Sequence, residues 1–300
     1  MTKVLLTGAS GLLGGNILKH ALANKTLDIL PTRLGGDFSV PEAFRGDKEI
    51  LPLDIRSQTW LWNIISQWKP EVIIHTAALS EPGACEWQRE TAEAINTRAV
   101  KFIADLCEHF GIRLIFISTD LVFDGTKGDY LETDPPNPLN FYAETKCRAE
   151  EIVASSLHDY VILRTSLLLG ASPQSLRSLD ERLKADGEAG KTMTFFTDEY
   201  RNPIAASVLA DITLKLASGN NRSVTGLFHA AGKDKVSRFE LGEKLCQKYG
   251  ISRQFYKGAR QDEVTLSVPR PKDTSLISDA LLTVMNFPMP SLDEMITALP

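Results

Sequence analysis

Along the first 165 residues, short apolar runs alternate with longer stretches in which apolar positions recur every three or four residues. The runs predict strands at Val4–Leu6, Leu27–Leu30, Ile50–Leu53, Val72–His75, Leu114–Ile117 and Val161–Leu163. Between most of them, helical periodicity predicts Leu12–Ala23, Thr59–Trp68, Trp87–Phe110 and Phe141–Ser155. The strands are continuously apolar instead of alternating, as in a parallel sheet covered on both faces. A βαβ series of this kind predicts an α/β, Rossmann-type doubly wound fold. Beyond Arg164 the pattern loosens. Residues 171–203 read as polar and irregular, followed by a helix at Ala205–Ala217, a strand at Gly226–Ala230 and a helix at Phe239–Tyr249. Short helices are expected near Ser275–Leu282 and Ser291–Leu299, among prolines at 269, 271, 288, 290 and 300.

The expected division is a dinucleotide-binding domain over 1–165, joined by about 205–230, and a smaller α/β substrate lobe made mainly from 166–300. No repeat or low-complexity linker separates the two, so close packing is expected. The chain carries a net charge of −5, with 43% hydrophobic and 24% charged residues. This balance gives no reason to expect nucleic acid or an anionic membrane as a partner. No apolar stretch reaches the roughly 18 to 20 residues of a membrane-spanning helix. Lys3, the apolar run behind it and Ala21-Leu22-Ala23 have the outline of a signal peptide. Three glycines and Ser10 interrupt that run, however, and no disulfide framework follows. Cys85, Cys107, Cys147 and Cys246 lack metal-ligand spacing and read as buried thiols of a cytoplasmic protein, with no metal expected.

The interrupting glycines are themselves informative. Gly8, Gly11 and Gly14 follow a predicted strand and open a predicted helix. Gly8 permits the tight turn, Gly11 lets backbone approach a pyrophosphate, and Gly14 allows close helix–strand packing. The helix start adds unpaired N–H donors for phosphate. At the end of the second strand, Thr32-Arg33 stands where an acidic residue would select NAD and an Arg accommodates a 2′-phosphate. NADP(H) is therefore preferred and NAD(H) is the alternative. Asp54, followed by Ile55, is placed either to accept from the adenine amino group or to cap the next helix.

Farther on, Thr119 ends a predicted strand, and Tyr142 and Lys146 lie four apart on a predicted helix, so their heads share a face. An ammonium beside a phenol lowers the phenol pKa from about 10 and makes it a usable acid or base. Thr119 is placed to hold a substrate carbonyl in the same crevice. Tyr-x-x-x-Lys alone is common. Its order after the glycine turn and Thr119 makes it specific.

The chain resembles the extended short-chain dehydrogenase/reductase family, in the branch of dTDP-4-dehydrorhamnose reductases, over essentially its whole length. The resemblance is carried by TGASGLLG, by His75-Thr76-Ala77-Ala78, Asn96-Thr97, ISTDLVFDG, PLNFYAETK and Arg164-Thr165-Ser166. Phe228–Gly232 and Val268-Pro269-Arg270-Pro271 fit the branch's C-terminal lobe. It implies a Thr119–Tyr142–Lys146 triad, with Lys146 also on the nicotinamide ribose, Ala77 and Ala78 behind the adenosine and pyrophosphate, and Asn96 bracing the sheet. Ser10, Leu12, Leu13, Ile55 and Ser118 complete the implied cofactor contacts. Ser80, Val122, Phe123 and Ser166 are implied substrate contacts, and Arg201 and Arg270 are available either to meet a diphosphate or to form surface or inter-lobe salt bridges. The implied reaction is hydride transfer to the 4-keto carbon of a nucleotide-linked deoxysugar, with Tyr142 protonating the oxygen.

Related 4,6-dehydratases carry an Asp-Glu pair after the Thr, whereas here Asp120 precedes Leu121, which argues against dehydration. A 4-epimerase needs only the triad and stays open. The chain departs from the branch at Leu167, where a Trp usually follows Arg-Thr-Ser, and at Arg201-Asn202-Pro203-Ile204, where Gly-x-Pro-Thr is usual. The regulatory β subunit of methionine adenosyltransferase is similar to this chain and also lacks the Trp. A non-catalytic, NADP-binding role beside a partner enzyme subunit is therefore the second reading, and a homodimer is a further option.

Overall fold

The computed structural model describes residues 1–23, 27–36 and 40–300. Its centre is a seven-stranded sheet built from β1 (Thr2–Thr7), β2 (Leu27–Arg33), β3 (Leu51–Pro52), β4 (Val72–His75), β5 (Arg113–Thr119), β6 (Tyr160–Thr165) and β7 (Gly226–Ala230). The spatial order is β7-β6-β5-β4-β1-β2-β3, and every pairing is parallel. The order reverses between β1 and β4, and at such a switch point the strand C-termini open a crevice for ligand. Both the glycine turn and the His75–Ala78 segment leave the sheet there.

Side chains alternate across the sheet and build two cores. Val4, Leu6 and Ile74 pack with α1 (Leu12–Ala23), while Leu5, Ile73 and Phe116 face the opposite layer. That layer contains α2 (Gln58–Trp68), α3 (Ala99–Phe110) and α4 (Phe141–Ser156). A fifth long helix, α5 (Ala206–Ala217), lies against α1. A separate core of Leu183, Phe195, Leu245, Tyr256 and Ile296 centres the second lobe, around the parallel strand pair Met193–Phe196 and Tyr256–Ala259.

Three local expectations are corrected. The helix expected over Trp87–Phe110 is instead Pro82–Trp87, Arg89–Glu93, a π-helical turn at Ala94–Arg98, and α3. Glu81 caps the first piece by accepting from Gly83 and Ala84 N–H, and Gln88 takes non-helical φ −123° and ψ 49°. The region 171–203 is not irregular throughout, because Ser178 and Glu181 form a reciprocal capping box that starts a helix at Leu179–Glu188. Finally, the helix expected from Ser275 begins at Asp279, because Ser275 binds the Asp129 N–H and Leu276 bridges Tyr130.

Candidate active site

The glycine turn fits a dinucleotide on the structure's own terms. Gly8 has φ +77°, and a Cβ there would lie 2.7 Å from Thr76 Oγ1. At Gly14 a Cβ would fall 2.2 Å from the Gly8 carbonyl oxygen, so turn and helix can meet only through glycine. Gly11 differs, since a Cβ there would meet only that same oxygen, at 3.3 Å. Protein packing hardly requires glycine at 11, and the space left open on that side fits the close approach of a pyrophosphate that the sequence pattern anticipates. Ser10 and Leu12 are half-buried in the turn, whereas Leu13 packs in the core and offers only its backbone N–H. Ala77 is half-buried, and Ala78 and Ser80 are exposed at the crevice.

Arg33, at the end of β2, donates to the carbonyls of Leu34 and Gly36 at 2.9 and 3.2 Å. It lines a cavity of about 290 Å³ with Arg45 and Lys48, and Asp47 and Glu49 line the same cavity, so its charge is mixed. Asp54 does not cap the next helix. Its carboxylate is gripped by Arg56 through Nε, Nη2 and backbone N–H, and the Arg56 hydrogen bond holds its pKa below the usual range. Ser57, not Asp54, stands at the N-cap of α2. Ile55 is a core residue.

Thr119, Tyr142 and Lys146 are 7%, 8% and 3% exposed. Asn140 starts α4 by accepting from the Ala143 N–H at 3.0 Å, which sets Tyr142 on the first turn. Thr119 ends β5 in extended conformation, donates to Asp120 at 3.3 Å and accepts from the Leu121 N–H at 3.2 Å. Burial raises the Tyr142 pKa far above its usual value, Cys85 and Asp120 add to the rise, and a hydrogen bond with Thr119 opposes it. This corrects the expectation of a phenol lowered by Lys146. Lys146 directs its Nζ to the Ile117 carbonyl at 2.7 Å and over the Phe116 ring at 3.9 Å, and burial lowers it to about 7 against the pull of Glu150. Burial thus favours the neutral forms of both the phenol and the amine. Nearby, burial and Lys146 also bring His75 down to about 3, so its ring is neutral, sharing a 2.8 Å hydrogen bond with Thr7.

The description "RmlD substrate binding domain" matches residues 1–299. The chain belongs to the extended short-chain dehydrogenase/reductase family. Within this family of NAD(P)-dependent oxidoreductases, the "Probable low-salt glycan biosynthesis reductase Agl14" of Haloferax volcanii is 28% identical, over 98% of this chain and 96% of its own. The methionine adenosyltransferase 2 subunit beta of Xenopus laevis is 27% identical, over 91% of this chain and 80% of its own. The dTDP-4-dehydrorhamnose reductase of Bacillus anthracis, solved with NADP, superposes with a TM-score of 0.85 at 25% identity, covering 99% of this chain and 98% of that one.

On this family frame, several implied contacts lie elsewhere than expected. Val122 and Phe123 are fully buried, and Phe123 stacks on Tyr130 with centroids 4.0 Å apart, so their side chains build a small core and face no ligand. Ser118 donates its hydroxyl to Glu150 of α4, so the hydroxyl is engaged within the protein. Ser166 donates to Asp120 at 2.9 Å, and Thr274 does so at 3.0 Å. Arg201 is 5% exposed, within 3.4 Å of both Asp120 and Glu199. Arg270 binds Glu199 through two 2.9 Å bonds but keeps 40% of its side chain exposed. Of the two arginines, only Arg270 can still meet a solvent-borne diphosphate.

Asn96 sits on the π-helical turn, accepts from Leu79 N–H and donates to Leu79 O and Thr145 Oγ1. It thereby ties the segment after β4 to α4. Sequence reading allowed salt bridges for Arg201 and Arg270 but did not identify Glu199 as their shared partner or Arg238 beside it, because Arg238 and Arg270 reach Glu199 only through the fold. Among the described residues, no group of three or more His, Cys, Asp or Glu side chains could hold a metal ion, and no helix is long and apolar enough to cross a membrane. The four cysteines are buried and unbridged.

Proposed function

We propose that the protein reduces the 4-keto group of a nucleotide-linked deoxysugar with NADPH, using NADH as a weaker substitute. The observation that supports this reading best is Tyr142, buried on the first turn of α4, with Thr119 ending β5 at the C-terminal edge of the sheet and Lys146 one turn farther along the helix. A reductase needs its proton donor loaded at rest, and burial keeps this one loaded. When bound, the reduced nicotinamide supplies the hydride for the carbonyl carbon. Thr119 orients the carbonyl oxygen, and Tyr142 transfers its proton to that oxygen. Lys146 then stabilises the phenolate and holds the adjacent ribose hydroxyls. The turn at Gly8–Gly14 holds the pyrophosphate, Arg33 meets the 2′-phosphate, and Ala77 and Ala78 line the adenosine. Ser80 and Arg270 remain the substrate contacts, with Arg270 aimed at the diphosphate.

Incubation with NADPH and a panel of dTDP- and GDP-4-keto sugars, followed by nicotinamide absorbance, tests the reading. Turnover of at least one sugar is expected, and Tyr142→Phe should lose about 10²-fold or more of it while binding NADPH nearly as before. Full activity in that variant overturns the assignment of the acid. The likeness to the adenosyltransferase β subunit, together with Leu167 in place of the usual Trp, favours one second reading, a regulatory subunit of a partner enzyme. Tight NADPH binding without turnover of any sugar selects it. Interconversion of 4-epimers without net loss of NADPH selects an epimerase instead.

A further inference from the structure

A cavity of about 540 Å³ opens between the start of α4 and the segment that leads to Arg270. Trp87, Leu139 and Pro269 line it, and Trp87 and Leu139 are 83% and 39% exposed. Asn140, the N-cap of α4, ties the two sides together by donating to the Pro269 carbonyl at 3.3 Å. Apolar surface gathered in one concave place and rimmed by charge marks a ligand site. The rim holds three charged side chains in different states. Glu86 is already engaged within the protein, one oxygen accepting from the Phe141 N–H at 2.8 Å and the other from Arg89 Nη2 at 2.5 Å. Arg89 lies 4.6 Å over the Phe141 ring, and its side chain is 60% exposed. Among the described residues its Nε and Nη1 donate to nothing. Glu144, three residues beyond Phe141 on α4, receives no hydrogen bond among the described residues, and its ion pair with Arg148 Nη2 is 3.8 Å long. The cavity thus offers an aromatic face, a free carboxylate and a free guanidinium edge.

We propose that this cavity is the base subsite of a nucleotide-linked sugar and that it takes guanine. The proposal rests on the sugar-nucleotide reading and names the nucleotide. Trp87 is the stacking platform, and Leu139 and Pro269 complete the apolar wall. A carboxylate only accepts hydrogen bonds. Guanine presents N1–H and the N2 amino group together to such an acceptor and leaves O6 and N7 for a guanidinium. Thymine and uracil carry a carbonyl on each side of a single N–H and would set those oxygens against Glu144. Adenine would set its N1 lone pair there. The diphosphate then falls to Arg270, the residue after Pro269, whose side chain is 40% exposed.

The test is calorimetric titration of the full chain, saturated with NADP+, with GDP, ADP, dTDP and UDP. GDP should bind about tenfold or more tightly than each of the others, the discrimination of one good bidentate pair. Trp87→Ala should weaken GDP about tenfold, the order of one base–aromatic stack. Glu144→Gln should remove most of the preference for GDP over dTDP, and both variants should bind NADP+ as wild type does. Equal binding of dTDP or UDP, full GDP affinity in Trp87→Ala, or an undiminished GDP preference in Glu144→Gln overturns the proposal. So does a Trp87 emission change that follows protein concentration and not GDP, which would mark this surface as a contact between copies. GDP binding that depends on Trp87 and Glu144, without reduction of any GDP-4-keto sugar, overturns only the reductase reading.

Discussion

At the scale of single residues, burial dominates the chemistry of the site. Tyr-x-x-x-Lys spacing made the pair legible, but spacing carries no measure of dielectric, so the direction of the phenol's shift was not readable from it. Lys146 shows the consequence for stability. Its folded value of about 7 lies below the ordinary 10.5 because burial penalises the ammonium. Below pH 7 both folded and unfolded chains carry the proton, and the folded chain bears the full cost of the buried charge. Between about 7 and 10.5 the unfolded chain binds more protons, so stability rises with pH through that window. Lys146→Met should therefore gain most over wild type at pH 6. That advantage should shrink by up to about 1.4 kcal/mol per pH unit above 7. Urea unfolding of the nucleotide-free proteins at pH 6 to 9 measures the gap, and a pH-independent gap contradicts the placement of the amine.

At the scale of elements, regular periodicity was read well and interruptions were not. Leu12–Ala23, Val72–His75 and Gly226–Ala230 emerge with the bounds their patterns predict, because each is a single run of one period. Trp87–Phe110 has the apolar spacing of one helix, yet the structure places three helical pieces and a π-helical turn in the segment beginning at Pro82. A π turn shifts the helical face locally without changing composition, and such turns recur at functional sites. Here it presents Asn96 to both backbone groups of Leu79 and to Thr145. Asn96→Leu would strand those groups in a buried setting, at a cost of roughly 2–4 kcal/mol. The segment from Ala77 to Ser80 would lose its tie to α4, so KM for NADPH should rise in the variant. Chemical denaturation and steady-state kinetics check the two effects. A stable variant with unchanged KM would mean that Asn96 braces nothing the cofactor uses.

At the scale of the whole molecule, the two lobes are joined by charge as well as by packing. Asp120, next to the strand-ending Thr119, pairs with Arg201, which reaches Glu199, which in turn holds Arg270 and lies near Arg238. Asp120, the neighbouring pair Glu199 and Arg201, Arg238 and Arg270 lie far apart in sequence, on segments whose mutual placement no local pattern encodes, which is why the sequence left Arg201 open between a diphosphate ligand and a salt bridge. Glu199 is 1% exposed. Burial pushes its pKa up, but Arg201, Arg270 and Arg238 outweigh that and bring it to about 2. A carboxyl depressed in this way contributes stability that is complete above its unfolded value near 4.5 and is lost as pH falls towards 2. Glu199→Gln leaves three guanidinium groups without their shared counter-charge and should destabilise the protein by about 3 kcal/mol at pH 7. The gap to wild type should close progressively between pH 4.5 and 2, since protonation removes the same charge from the parent. Denaturant unfolding at pH 7 and across the acid range tests both statements. A variant as stable as wild type at pH 7, or a deficit that persists undiminished at pH 2, would show that the lobes are held by apolar contact alone.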